Sequence, residues 1–504
     1  MKPQDQHPFA PDVSFDGGDL DCGNGLLLLI RKHIDPMPRG QLLEIRSTEI
    51  SVDEDLPAWC RMTSNDLVSF TKEGKQRSFL VCKGKMAERG KVEPRPVAAV
   101  SAPPPTAAPQ ARPVAPVAVA PLPALAVTGI GSWPRPRWMV EAMHAHVEGR
   151  LDEAAFHETA NDAVRLIAAA QDRAGVDLMT DGEQRRDSYA SFVAQRLDNC
   201  QLIPLTDLLP LVDDPEEFER ELRALDIPAA DVRHPAVLGR IARTRPLVGH
   251  EFDFLRTLTG KPIKVALPGP YLLTRTMWME CLSERAYDTR EQLSEDIVTA
   301  LRAELASLID AGVTVVQFDE PVLSEVVFSG PKSRPSFMCG ALSESREPAY
   351  ELGFARDLVN AVLDGMPRER TALHVCRGNW TPDESVALTG SYEPLLATLR
   401  EMKVGAYLLE MCTPRAGEME ILRALPDDAR IGIGVVNQKH HEAESLEEVT
   451  AKIAAAIGLF GKERLLLHPD CGFATFADNP ICSTSSAETK LAVIARAVEN
   501  LRRS

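Results

Sequence analysis

The chain has 504 residues, enough for two or three domains, and its 44% hydrophobic and 26% charged residues are ordinary for a soluble globular protein. With 56 Lys and Arg against 73 Asp and Glu the formal charge is −17, which argues against nucleic acid or an anionic membrane as partner, because both need clustered basic residues. The opening segment is polar and acidic, the first apolar run (Leu26 to Ile30) is too short to span a bilayer, and the ten cysteines lack small-domain spacing, so a cytoplasmic location is expected.

Between about residues 15 and 86, helix and strand signals alternate. Gly25-LLLLIRKHI predicts a helix stopped at Asp35-PMPRG, and Gln41-LLEIRST predicts a strand. Ser51-VDE predicts a capping box, with Ser51 as N-cap and Glu54 three residues in, opening a helix that runs through Met62. Asp66-LVSFTK and Arg77-SFLVCK predict two strands joined by a tight turn at Glu73-GK. The expected product is a small two-layer α/β sandwich. From Val92 to Ala124 the sequence is close to a third proline, the rest mostly Ala and Val. Proline has no N–H to give a helix or ladder, so residues 87–124 are expected to form a semi-extended spacer reaching on the order of 100 Å.

From residue 125 to 504 a short apolar strand ending in polar or Gly/Pro residues repeats eight times, each time followed by a helical stretch. The strand ends are Ala126-VTGIGSW, Val176-DLMTDGE, Ile263-KVALPGP, Val313-TVVQFDEP, Thr371-ALHVCRG, Ala406-YLLEMC, Ile431-GIGVVNQ and Arg464-LLLHPDC. Apolar runs alternating with helices imply parallel strands covered on both faces, and eight of them predict a (β/α)8 TIM barrel. Insertions fall at about 195–250 and 325–350.

Reactive groups of such a barrel gather where strands end. Those ends collect Asp181, Glu183, Asp319, Glu320, His374, Cys376, Glu410, Cys412 and Cys471. His374-x-Cys376 places both side chains on one face of a strand, since the period is two. Alone, a cysteine there is more often a small buried hydrophobe, and a strand histidine a hydrogen-bonded structural residue. Together, the imidazole, two thiolates and one carboxylate of His374, Cys376, Cys471 and Glu410 make a four-ligand set for Zn2+, and the two sulfurs argue against magnesium or calcium.

From Val127 onward the sequence resembles the C-terminal catalytic half of the cobalamin-independent methionine synthase family. Thr128-GIGSWP, Asp181-GEQRR, Leu267-PGPY and Gln317-FDEP resemble its first four strand ends, and His374-V-Cys376, Glu410 and Pro469-DCG match its zinc positions in order. The resemblance implies that His374, Cys376, Glu410 and Cys471 bind zinc. It further implies that Ile130 and Ser132 meet the substrate carboxylate, and that Glu183 and Asp319 hold its ammonium group. The reaction implied is methyl transfer to the thiol of homocysteine, giving methionine, with the thiol deprotonated at the metal. For Glu183 and Asp319 the alternative is a structural salt bridge to Arg185, Arg186 or Arg275.

Three departures bear on the methyl donor. The family's second, N-terminal barrel has no counterpart. Its folate-stacking tryptophan is replaced along Tyr271-LLTRTMW, where Trp278 is displaced. Near the seventh strand, Val436-NQKHH offers Asn437, Lys439, His440 and His441 in place of the family's Asp and His. Lys439 stands where the family's histidine is expected and is a candidate catalytic residue, while the proton donor stays open and the methyl carrier is methylfolate, a corrinoid or another carrier.

Residues 15–86 resemble a TusA-type sulfur carrier through Leu20-DCGNGLLLLIRK and Glu54-DLPAWCRMTSNDLV. By that resemblance Cys22, at the mouth of the first helix, is the carrier thiol, although Cys-Gly-Asn-Gly replaces the family's Cys-Pro-x-Pro. Cys60 and Cys82 fit core positions. Two other functions compete with methionine synthesis: alkyl transfer to or from another thiol delivered by the N-terminal domain, and a sulfur-trafficking adaptor with structural zinc.

Overall fold

The computed structural model describes residues 3–4, 6–20, 26–35, 37–89, 119–147, 150–204, 233–278, 286–328, 346–379, 382, 384 and 387–503. They fall into two compact units, one drawn from residues up to Arg89 and the other from Val119 onward.

In the first unit the elements run β1 (Val13–Asp16), α1 (Leu27–Ile34), β2 (Leu42–Ser47), α2 (Val52–Met62), β3 (Asp66–Glu73) and β4 (Gln76–Cys82). The sheet order is β1-β2-β4-β3, with β1 parallel to β2 and the other pairs antiparallel. Helical spacing places Val52, Leu56, Trp59 and Cys60 on one face of α2, and these bury with Ile30 and Ile34 against Leu43, Ile45, Phe79 and Val81. The β3–β4 turn passes through Gly74 at φ +62°, a left-handed value that glycine adopts without strain. Strand β1 was not among the expected elements. The expected capping box is also absent: Ser51 is itself helical (φ −60°, ψ −26°), makes no capping bond, and leaves its hydroxyl buried with no partner among the described residues. A helical ψ turns the Ser51 side chain away from the amides it would have capped.

The second unit is built on a curled parallel sheet. Its strands are β5 (Ala126–Val127), β8 (Lys264–Pro268), β9 (Val315–Asp319), β10 (Thr371–Val375), β11 (Ala406–Leu409), β12 (Arg430–Val436) and β13 (Leu465–Pro469), in the order β5-β13-β12-β11-β10-β9-β8. The segment around Leu178 and Met179 contributes two isolated parallel bridges, Thr128 to Leu178 and Met179 to Ile263, which reach both edge strands. The insertion near residues 195–250 carries an antiparallel ribbon of β6 (Asp198–Pro204) and β7 (Arg233–Ala242).

Two-residue periodicity sorts the strand side chains into two cores. Val265, Leu267, Val316, Phe318, Leu373, Val375 and Leu409 face outward into the large helix-covered core. Ala126, Leu178, Val315, Ala372, Ala406 and Leu466 form a separate inner cluster of mostly small residues. Lys264, Gln317, Asp319 and His374 alternate with the outward set and so share the inner face. The covering helices are firmly bounded. Glu153–Ala174 starts at Asp152, which accepts from the Ala155 amide, and Arg290–Ala311 starts at Thr289; both end at left-handed glycines, Gly175 (φ +82°) and Gly312 (φ +96°). Among the described residues no helix is long and apolar enough to cross a membrane.

Candidate active site

The expected site residues lie at successive strand ends of the second unit. Ile130 and Ser132 follow β5, Glu183 follows the Leu178–Met179 bridges, Asp319 ends β9, and His374 and Cys376 sit at the end of β10. Glu410 follows β11, Lys439 follows β12 and Cys471 follows β13. One pocket is lined by Ile130, Ser132, Glu183, Asp319, His374, Cys376 and Cys471, so seven of these residues open on a common space.

His374, Cys376 and Cys471 bring their ligand atoms within 4.8 Å of one another, and all three are buried. The His374 imidazole is oriented by its other nitrogen: Nδ1–H donates to the Leu408 carbonyl at 3.0 Å, leaving Nε2 3.8 Å from Cys471 Sγ. That tautomer exposes the Nε2 lone pair to the thiols, as a metal-binding histidine requires. The two thiols are coupled. A hydrogen bond from Cys471, with His374 beside it, holds the Cys376 thiol well below its ordinary value, and the same bond raises Cys471 well above its own.

Glu410, fully buried, is not part of this three-residue cluster. Arg415 meets its Oε1 in a fork at 2.6 and 2.8 Å, and Asn379 donates to Oε2 at 2.8 Å. Nothing in the sequence distinguishes a carboxylate bound to a metal from one bound to an arginine five residues on, so Arg415 and Asn379 were missed.

Backbone geometry brings Glu183 into the pocket. Gly182 (φ +72°) and Glu183 (φ +56°) are consecutive left-handed residues, the second of them strained for a side chain with a Cβ. Gly131 leaves the room this needs, since a Cβ there would stand 2.1 Å from Glu183 Oε1. Burial pushes Glu183 up to about 7, opposed by Arg186 and assisted by Asp319. Asp319 is likewise raised by burial. The structural alternative is met only in part: Arg186 lies 3.8 Å from Glu183 but 2.6 Å from Glu251, its main partner, while Arg185 faces Asp181 and Arg275 faces Glu325.

Ser132 packs against Gly472, where a Cβ would stand 2.2 Å from its hydroxyl. Lys439 is buried, which lowers its pKa; Glu384, Glu410 and Cys471 oppose that shift and Arg415 adds to it. His440 is exposed and faces Glu384 at 3.3 Å. Glu320, also at the end of β9, turns away to accept the Tyr271 and Leu272 amides at the start of helix Pro270–Met277, where burial raises it to about 8. Trp278 and Tyr271 belong to the hydrophobic core and do not line the pocket. Cys22 lies outside the described residues.

The family model for the catalytic domain of cobalamin-independent synthases matches residues 125–207, 224–347 and 373–492. A methionine synthase from Saccharolobus solfataricus is 27% identical over 352 residues, covering 70% of this chain and 89% of that protein. One from Sulfolobus acidocaldarius is 26% identical over 349 residues, covering 69% and 85%. Among solved structures, a B12-independent methionine synthase from a Shewanella species in complex with selenomethionine is similar at a TM-score of 0.57 and 22% identity, over 76% of this chain and 98% of that one. Another, described as a putative vitamin-B12-independent methionine synthase from Listeria monocytogenes, has a TM-score of 0.52 at 20% identity, over 74% and 96%. The chain belongs to the cobalamin-independent synthase catalytic-domain family and is a methyltransferase of the methionine synthase type.

Proposed function

We propose that this chain transfers a methyl group to the sulfur of homocysteine, giving methionine, at a zinc site formed by His374, Cys376 and Cys471, with Glu410 as the fourth ligand once its carboxylate turns from Arg415. The observation that carries the reading is the shared pocket: three soft ligand atoms within 4.8 Å of one another open on the same space as Glu183 and Asp319. One imidazole with Nε2 turned to the cysteines and two thiols, one held toward the thiolate, fit zinc. Zinc bound there would lower the pKa of the substrate thiol and supply a nucleophilic sulfur near neutral pH.

The chain's own residues account for the rest. Glu183 and Asp319 hold the substrate ammonium, while Ile130 and Ser132 face its carboxylate. The new bond is sulfur to methyl carbon, and the bond broken joins that methyl to its carrier, a methylfolate, a corrinoid or another carrier. The substrate thiol gives up its proton, and the demethylated carrier, when it is a folate, takes one up. Lys439 is the donor in this reading, because burial beside Arg415 favours its giving up a proton.

In the same reading the sheet closes through the Thr128–Leu178 and Met179–Ile263 bridges into a full (β/α)8 barrel spanning 125–504. Residues 15–86 are a two-layer TusA-type carrier with Cys22 as its thiol; the spacer expected over 87–124 lies mostly outside the described residues. The helix-on-sheet core of the first unit supports that architecture.

The test is metal content and methionine formation in His374→Ala and Cys471→Ser, using homocysteine with methylfolate or methylcobalamin. Both variants should lose zinc and at least ~1000-fold in turnover. No methionine from the wild type with any donor would overturn the reading.

A further inference from the structure

Beneath the pocket, the inner face of the sheet carries a lysine where its surroundings call for an apolar residue. The apolar part of this inner layer is built from Ala126, Leu178, Val315 and Ala372, and Gln317, Asp319 and His374 share the same face toward the pocket. Lys264, on β8, is 1% exposed. Its register partner across the sheet is Val315, and Gln317 lies two residues further along the same face of β9. Placing an ammonium group in such a layer is costly unless its donors are used and the charge is compensated.

The donors are used, in a way that leads toward the pocket. Lys264 Nζ donates to the Ile130 carbonyl at 2.9 Å and to the side-chain oxygen of Gln317. The Gln317 amide nitrogen in turn donates to Asp319 Oδ1 at 2.7 Å. Both direct acceptors of Lys264 are neutral oxygens, so the lysine is not simply half of an ion pair. Its charge is instead felt by Asp319 and Glu183, the carboxylates that oppose the downward shift burial imposes on it.

We propose that Lys264 and Gln317 are positioning residues for the amino-acid end of the substrate. The argument rests on the functional reading above, which assigns Asp319, Glu183 and Ile130 to that end. Through Gln317, the lysine fixes Asp319 Oδ1 and with it the plane of the carboxylate that faces the pocket. Through the Ile130 carbonyl, it fixes the peptide joining Ile130 to Gly131, the glycine against which Glu183 packs. One buried cation thus sets three of the groups that grip the ligand. None of its contacts reaches the cysteines.

The prediction separates binding from chemistry. Lys264→Met keeps the volume and removes the donors; Gln317→Glu keeps an oxygen for Lys264 and removes the donor to Asp319. In both variants the KM for homocysteine and the calorimetric Kd for methionine should rise at least ~10-fold, while kcat and the KM for the methyl donor stay within about 3-fold. Zinc content and Tm should remain close to wild type in Gln317→Glu. An unchanged homocysteine KM in either variant overturns the proposal. So does a joint fall of kcat, zinc content and Tm in Gln317→Glu without a KM split, because that is what a purely structural role would produce. If the wild type itself binds neither homocysteine nor methionine, the functional reading fails and this inference falls with it; if the wild type binds and the variants match it, only the inference fails.

Discussion

Two cysteines, one from each unit, behave in opposite ways although their depth scarcely differs. In the first unit Cys60 is 2% exposed, and burial pushes its thiol up to about 12. In the second, Cys376 is 7% exposed, yet its thiol is held well below the ordinary value. Burial alone always favours the neutral thiol. The difference is made by partners: Cys60 sits among Ile30, Leu56 and Phe79, whereas Cys376 has a thiol and an imidazole within ligand distance. A buried cysteine thus becomes reactive through what surrounds it, and that contrast is open to direct attack.

The largest expected effect is on reactivity. After chelator treatment, which would remove a metal bound at the proposed site, iodoacetamide at pH 7 should alkylate Cys376 at least ~100-fold faster than Cys60, because the thiolate is the nucleophile. Mass spectrometry of peptides sampled over time would measure this, and equal rates would show that the coupling with Cys471 and His374 does not matter. Before metal is removed, Cys376 should be protected.

The next effect concerns the packing that keeps Cys60 inert. Leu56 is fully buried under the first sheet, so Leu56→Ala should destabilise the first unit by about 2–5 kcal/mol. Denaturant unfolding followed by Trp59 fluorescence, with the other four tryptophans (Trp133, Trp138, Trp278 and Trp380) replaced by Phe, would read it out. A loss below about 1 kcal/mol would mean that this core is looser than its contacts indicate.

A smaller effect belongs to the carboxylates of the pocket. Glu183 is raised to about 7 by burial, so it is largely protonated below that pH and ionised above it. Only the ionised form attracts an ammonium group. Affinity for methionine should therefore climb as pH rises through about 7, with a slope approaching tenfold per unit on the acid side. Glu183→Gln should flatten that limb. A pH-independent Kd in the wild type would show that Glu183 does not hold the ammonium.

Much of this site was legible in the sequence, and the reasons are local. A histidine and a cysteine two apart on a strand must share a face, so His374 and Cys376 could be paired without coordinates, and Pro469-DCG marked the strand end that brings Cys471 to them. What could not be read depends on contacts between distant residues. Arg415 takes the Glu410 carboxylate, and Lys264 reaches Ile130 across 134 positions of sequence. A signal for Lys264 did exist: a lone cation inside the apolar run Ile263-Lys264-Val265-Ala266 breaks the pattern of a strand covered on both faces. Strand β1 was missed because it is only four residues long, and the alternation of half-buried Val13 and Phe15 with exposed Ser14 and Asp16 is too short a run to stand out.

Helix capping gives the smallest and cleanest test, because motif and geometry part company. Ser51-VDE and Ser445-LEE both satisfy the Ser-x-x-Glu pattern. Only the second is formed: Ser445 is extended (φ −66°, ψ 149°), its hydroxyl accepts from the Glu448 amide at 3.2 Å, and Glu448 returns a bond to the Ser445 amide at 3.0 Å. At Ser51 the backbone is already helical and the hydroxyl is buried with no partner among the described residues. Ser445→Ala should therefore cost about 1 kcal/mol, the usual value of an N-cap. Ser51→Ala should cost less than about 0.5 kcal/mol or even stabilise, because it deletes a polar group that burial leaves unpaid. The two changes fall in different units, so each is measured on its own transition by urea titration. A loss at Ser51 as large as at Ser445 would mean that in solution the first helix turn opens far enough for the serine to cap it, and the Ser51 conformation described above would have to be revised.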